Sequence, residues 1–147
     1  MQATQAESTI GSSGTSWSRE AAAEWARALY EGHVDHKDAT GFAAAFTDEA
    51  ELQFGNNPPL AGRAAIESAI AGFFTAMVAL RHETVRLSID GDTLFLEARV
   101  TYTRHDGGVV TVPAMTVFDM TDTPAGRRAE RCRIYVDLAP LFAPGGA

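Results

Sequence analysis

Among the side chains of this sequence, His82 is the one best placed to move a proton. Histidine is the residue whose ordinary titration falls near neutral pH. His33 and His36 lie where a helical pattern gives way to a polar run, and His105 lies in a glycine-rich turn, so these three are expected at the surface. Glu97 and Arg99 supply the other chemistry. Two residues apart on a strand, they share a face at about 6.5–7 Å between backbone positions, within mutual reach of their long side chains. Charges taken out of water lose hydration, so both could face inward only as a compensated pair. Arg99 could then hold a carbonyl oxygen while His82 exchanges the proton, which is acid/base chemistry without a cofactor. The plainer alternatives stay open: a histidine that only hydrogen-bonds, and a charged stripe on a solvated sheet face.

Other chemistries lack their residues. Cys132 is the single cysteine, so neither an internal disulfide nor a thiolate cluster can form within the chain. The histidines are too scattered for a metal centre. Gly107-Gly108 is turn chemistry rather than a phosphate loop, and no Ser-His-Asp order is present. No cofactor and no metal are expected.

The elements that must carry these groups follow from periodicity and caps. Ser18 can cap a helix whose apolar face runs through Ala22, Trp25, Ala26 and Leu29 to His33, and Asp38 can cap a shorter one with Phe42, Ala45 and Phe46. Glu51 to Phe54 reads as a brief strand ended by Gly55-Asn56-Asn57-Pro58-Pro59. From Arg63 to Leu80 the three- and four-residue spacing of Ile66, Ile70, Phe73, Phe74 and Met77 predicts the clearest helix. Strands are expected over 81–90, 93–104, 109–120 and 128–138, joined by three tight turns into an antiparallel meander. Helices first and strands afterwards is an α+β pattern, a helical layer on a curved sheet with a small-molecule-sized pocket between them.

At 147 residues with 46% hydrophobic content, the chain suits one core. The Gly-, Ser- and Thr-rich stretch 1–16 is expected to be a flexible tail, 17–142 the domain, and 143–147 a short C-terminal tail. A net charge of −7 would repel a phosphate backbone, which argues against nucleic acid. The basic group Arg127, Arg128, Arg131 and Arg133, interrupted by Glu130, fits a solvated hairpin end. Neither a membrane span nor a signal peptide is evident, so a cytoplasmic protein with no membrane partner is expected.

Two stretches carry a resemblance: Phe54-Gly55-Asn56-Asn57-Pro58-Pro59-Leu60-Ala61-Gly62-Arg63 leading into a helix, and Arg133-Ile134-Tyr135-Val136-Asp137-Leu138-Ala139-Pro140-Leu141-Phe142 closing the last strand. From about Trp25 to Phe142 the sequence resembles the nuclear-transport-factor-2-like (NTF2-like) superfamily with its cone-shaped fold. Within it, the likeness is to the SnoaL-like polyketide cyclase and limonene-epoxide-hydrolase-like branch. That fold hosts isomerases, cyclases, dehydratases, hydrolases and non-enzymatic binders.

The resemblance implies a pocket lined by Trp25, Phe54, Phe73, Met77, His82 and Ile134. It also implies that Phe95, Glu97, Arg99, Thr101 and Thr103 point into the cone with Val112, Ala114, Thr116 and Phe118. Alternation alone would instead bury Leu94, Leu96, Ala98, Val100 and Tyr102. The catalytic set implied is His82, Glu97 and Arg99. Of the epoxide-hydrolase residues only the arginine is kept, as Arg99; Thr101 and Ile134 replace its aspartates, and Leu52 and Phe54 its tyrosine and asparagine. Ketosteroid isomerase's two aspartates correspond to Gln53 and Thr116. Neither of those activities is therefore expected. An isomerase, cyclase or lyase acting on an oxygenated apolar metabolite is the leading expectation, with a non-catalytic ligand carrier or dimeric interaction protein as its rival. In this fold the outer face, here Arg133, Tyr135 and Asp137 beside Leu138 and Leu141, commonly meets a second subunit, so a homodimer is expected.

Overall fold

The computed structural model describes residues 17–143, so the expected tail at 1–16 and nearly all of the one at 143–147 lie outside the described residues. Ser18 accepts a hydrogen bond from the Ala21 N–H and caps helix α1 (Arg19–Gly32), whose Ala22, Ala26, Leu29 and Tyr30 are buried. A 3-10 turn, Val34–His36, follows. Asp38 then accepts from the Gly41 N–H and caps α2 (Ala39–Ala44). That helix stops short of the expected Ala45 and Phe46. Phe46 instead opens strand β1 (Phe46–Phe54), where it is fully buried and its ring packs at a tilt, 5.0 Å from that of Phe42.

A two-residue strand, β2 (Leu60–Ala61), precedes helix α3 (Arg63–Phe74). Gly62 begins this helix at φ 96°, a conformation that side chains with a Cβ avoid. The helix ends six residues before the expected Leu80. Thr75 turns its hydroxyl back onto the Gly72 carbonyl at 2.6 Å, and Met77 enters the core from the connection rather than from a helical face. The meander is β3 (Ala79–Asp90), β4 (Thr93–Thr103), β5 (Val109–Thr123) and β6 (Gly126–Val136), closed by the short helix α4 (Ala139–Phe142).

The six strands form one sheet in the order β2-β1-β6-β5-β4-β3, antiparallel except for the parallel β1–β6 pair. Helices α1 and α3 cover its concave face. Leu52, Leu94, Leu96, Val100, Phe118 and Cys132 from the sheet are closed against Ile66, Leu29 and Ala22 from the helices. A leucine- or phenylalanine-sized side chain buried in this way contributes roughly 1.5–3 kcal/mol.

Register settles which face of β4 looks inward. Ala98 pairs with Ala114 and Leu96 with Thr116, whereas Glu97 pairs with Met115, Arg99 with Pro113 and Thr101 with Thr111. Directly paired residues of antiparallel strands project to the same side. Glu97 and Thr116 therefore cannot both point into the cone, and the expected inward set combined two faces. Leu94, Leu96, Ala98, Val100 and Tyr102 are the buried ones, and Phe95, Glu97, Arg99, Thr101 and Thr103 lie on the outer face, with Arg99 exposed. Leu141 also departs from expectation: it is buried under the sheet's end instead of flanking the outer face.

Candidate active site

Between α1, α3 and the sheet lies a partly open cavity of about 50 Å³. Its apolar wall comes from Phe54 at the end of β1, from Ile70, Phe73 and Phe74 on α3, and from Ile134 and Val136 on β6. Phe73 is the centre of an aromatic group, with ring centroids 5.0 Å from Phe54, 6.2 Å from Phe74 and 6.3 Å from Tyr102. Polar atoms enter from four elements: Tyr30 on α1, His82 on β3, Tyr102 on β4 and Thr116 on β5.

The most strongly connected polar feature is a pair that joins two distant segments. Asp35, in the 3-10 turn, accepts from His82 twice: at the ring, with Nδ1 2.8 Å from Oδ1, and at the backbone, whose N–H lies 3.2 and 3.1 Å from the two carboxylate oxygens. Both side chains are nearly buried, at 15% and 14% exposure. A carboxylate only accepts, so Nδ1 carries the proton, and in the neutral ring Nε2 keeps its lone pair as the nitrogen available to a ligand. The Tyr30 ring lies 4.5 Å from the imidazole.

Burial dominates the phenols. It pushes the Tyr30 hydroxyl well above its ordinary range, helped by the neighbouring Asp35 carboxylate and opposed by the nearby Thr116 hydroxyl. Burial likewise pushes Tyr102 up to about 12. Both phenols are thus held neutral and able to donate. Thr116, 5% exposed, is buried beside these phenols. The Cys132 thiol is also pushed well upward by burial and is closed in the core, which keeps it inert.

Of the residues expected to line the pocket, His82, Phe54, Phe73, Ala114, Thr116 and Ile134 lie on the cavity wall. Met77, Val112 and Phe118 are core residues behind it, and Trp25 packs edge-on against Phe118 at 5.1 Å. Phe95, Thr101 and Thr103 face the other way; the two threonines border a groove along the outside of β3, together with Arg81 and Glu31. Glu97 and Arg99, expected to work beside His82, lie on the outer sheet face and form no ion pair with each other. The sequence reading missed Asp35, Tyr30 and Tyr102. The signal for Asp35 was chemical: a histidine that serves as a base needs an acceptor to fix its tautomer, and Asp35 lies in the short polar turn after α1. Among the described residues, no group of three or more His, Cys, Asp or Glu side chains could hold a metal ion.

A helical layer on a curved, six-stranded, mostly antiparallel sheet with a cavity between them is the NTF2-like architecture. More narrowly, the chain belongs to the SnoaL-like domain family, whose profile matches residues 26–127. No curated protein matches it.

Solved structures share the fold at low identity. A protein from Jannaschia sp. CCS1, provisionally described as a SnoaL-like polyketide cyclase, superposes with a TM-score of 0.71 at 19% identity, covering 89% of this chain and 94% of that one. An NTF2-like protein of unknown function from Burkholderia pseudomallei gives 0.70 at 17%, covering 85% and 97%. A protein from Novosphingobium aromaticivorans, provisionally described as a scytalone dehydratase, gives 0.69 at 14%, covering 80% and 83%. Among the described residues no helix is long and apolar enough to cross a membrane.

Proposed function

We propose that the protein is a cofactor-independent acid/base enzyme that removes a proton from carbon beside a carbonyl group in a small oxygenated, largely apolar metabolite, leading to isomerisation, cyclisation or loss of water. The observation that carries this reading is the Asp35-oriented His82 on the wall of a largely apolar, aromatic cavity. His82 Nε2 takes the proton, and the electron pair of the broken C–H bond moves into the carbonyl to give an enolate. Tyr30 or Tyr102, neutral because buried, donates a hydrogen bond to the new oxyanion. The imidazolium formed is stabilised by the Asp35 carboxylate and by the adjacent Tyr30 ring. Where a β-hydroxyl is present, re-formation of the carbonyl expels it, and the proton on His82 converts it to water. The arrangement is thus compatible with cyclase and dehydratase chemistry of the kind for which two of the structural relatives are described.

The test uses a panel of bicyclic β-hydroxy ketones in deuterated water. Exchange at the α-carbon, read by mass spectrometry, should accompany turnover and fall by roughly a hundred- to ten-thousandfold in His82→Ala. A panel member that binds stoichiometrically but neither exchanges nor turns over would make the protein a ligand carrier and defeat the proposal.

A further inference from the structure

The residues on either side of the His82–Asp35 pair explain what keeps it together. Asp35 belongs to a single 3-10 turn, which has little strength of its own, and its partner lies 47 residues away in sequence. The turn is followed by Lys37, the one described residue other than glycine with a positive φ, at φ 57° and ψ 40°. A left-handed conformation is unfavourable for a long side chain and persists only where the surroundings impose it. Its backbone N–H closes the turn on the Val34 carbonyl at 2.8 Å. Its ammonium crosses to the connection before β3 and donates to the Met77 carbonyl at 3.0 Å. That carbonyl is itself fixed, because the Met77 side chain is fully buried and the next N–H, that of Val78, binds the Thr103 carbonyl at 2.8 Å.

We propose that Lys37 is a positioning residue for the pair: its left-handed backbone ends the turn two residues after Asp35, and its ammonium anchors that turn to the segment that leads into His82. The catalytic meaning of this rests on reading the pair as the reactive centre. The tether matters because the pair acts only at hydrogen-bond distance; if the turn drifts, Nδ1 loses its acceptor and the proton can move to Nε2. Asp38, next along the chain, is occupied with capping α2 and with the His33 ring, so it cannot replace Asp35.

The test compares Lys37→Gly, Lys37→Asn and Lys37→Arg in the full, ligand-free chain. Glycine accepts the left-handed conformation without strain and asparagine tolerates it, but both lose the ammonium; arginine keeps a charged donor. The readout is exchange of the His82 Nδ1 proton with water, followed by NMR at fixed pH. Loss of a charge-assisted hydrogen bond of ordinary strength corresponds to about tenfold in the local opening equilibrium, so exchange should quicken about tenfold in the glycine and asparagine variants. Arginine should stay within about twofold of the parent.

Parental exchange in both the glycine and asparagine variants, even with a lower unfolding midpoint, overturns the proposal and makes Lys37 structural only. Exchange in Lys37→Arg as fast as in Lys37→Gly overturns it too, as does failure of Lys37→Gly to fold. Because this readout needs no substrate, a protein that shows the exchange effect but turns nothing over would defeat the proposed function and leave the positioning role standing.

Discussion

Replacing Asp35 by asparagine preserves shape and removes only the charge and one acceptor. In the parent, the carboxylate receives the His82 backbone N–H and the ring Nδ1–H together. The asparagine oxygen can serve one of these donors, and its amide then confronts the other. If the backbone bond is kept, the ring meets an N–H donor and must present an unprotonated Nδ1, which moves the proton to Nε2 and removes that nitrogen's lone pair. Hydrogen bonds to charged groups contribute about 1.5–3 kcal/mol and neutral ones about 0.5–1.5, so two weakened bonds amount to about 2 kcal/mol. For a domain of this size that is a fall in Tm of about 4–8 °C. Stability of ordinary size, about 5–15 kcal/mol, leaves the variant folded at 25 °C. Any loss of catalysis, expected at roughly a hundred- to ten-thousandfold, would then report the tautomer and not unfolding. Long-range nitrogen–proton NMR of the ring checks this directly: the Nδ1–H form in the parent, the Nε2–H form in Asp35→Asn. A parent that is mainly Nε2–H, or a variant that keeps Nδ1–H while its midpoint falls, refutes the reasoning.

Glu97→Ala and Arg99→Ala should each change stability by no more than about 0.5 kcal/mol and leave the His82 ring signals in place, since both side chains lie on the outer sheet face; urea unfolding and the same NMR experiment check it. For the Asp119 carboxyl, burial alone would raise the pKa, but hydrogen bonds from Arg133 and Thr93 outweigh it and hold the group below its ordinary value. Its stabilising contribution is therefore complete above about pH 4 and is lost as pH falls through the lower folded value. Asp119→Asn should cost about 1 kcal/mol at pH 7 and progressively less below pH 4 by urea unfolding; a difference that stays constant with pH contradicts this assignment. The outer face presents Tyr135 at 56% exposure beside Met115 at 36%, and light scattering at micromolar concentration should give a dimer that Tyr135→Glu turns into a monomer.

Local signals proved most reliable where local forces decide. Ser18 and Asp38 cap their helices because a short polar side chain before an apolar period satisfies an N–H that nothing else can reach, and the glycines at 91 and 107 mark turns at positive φ. The end of α3 was not legible in this way, since Ala76 and Met77 continue an apolar pattern that a buried connection needs as much as a helix does. On β4 the two sources of information disagreed, and periodicity was right. The alternation of Leu94, Leu96, Ala98, Val100 and Tyr102 reflects the burial that holds the sheet to the helices, whereas a register carried over from distant relatives fails with a shift of one residue. That same error put Glu97 and Arg99 beside His82. The true partner was hidden for a different reason. Asp35 and His82 belong to no common element or period; they meet because α1 and the turn after it fold across the edge of the sheet where β3 begins. The sequence marks His82 as a candidate by residue type, but only tertiary contact supplies the carboxylate that fixes its Nδ1 proton.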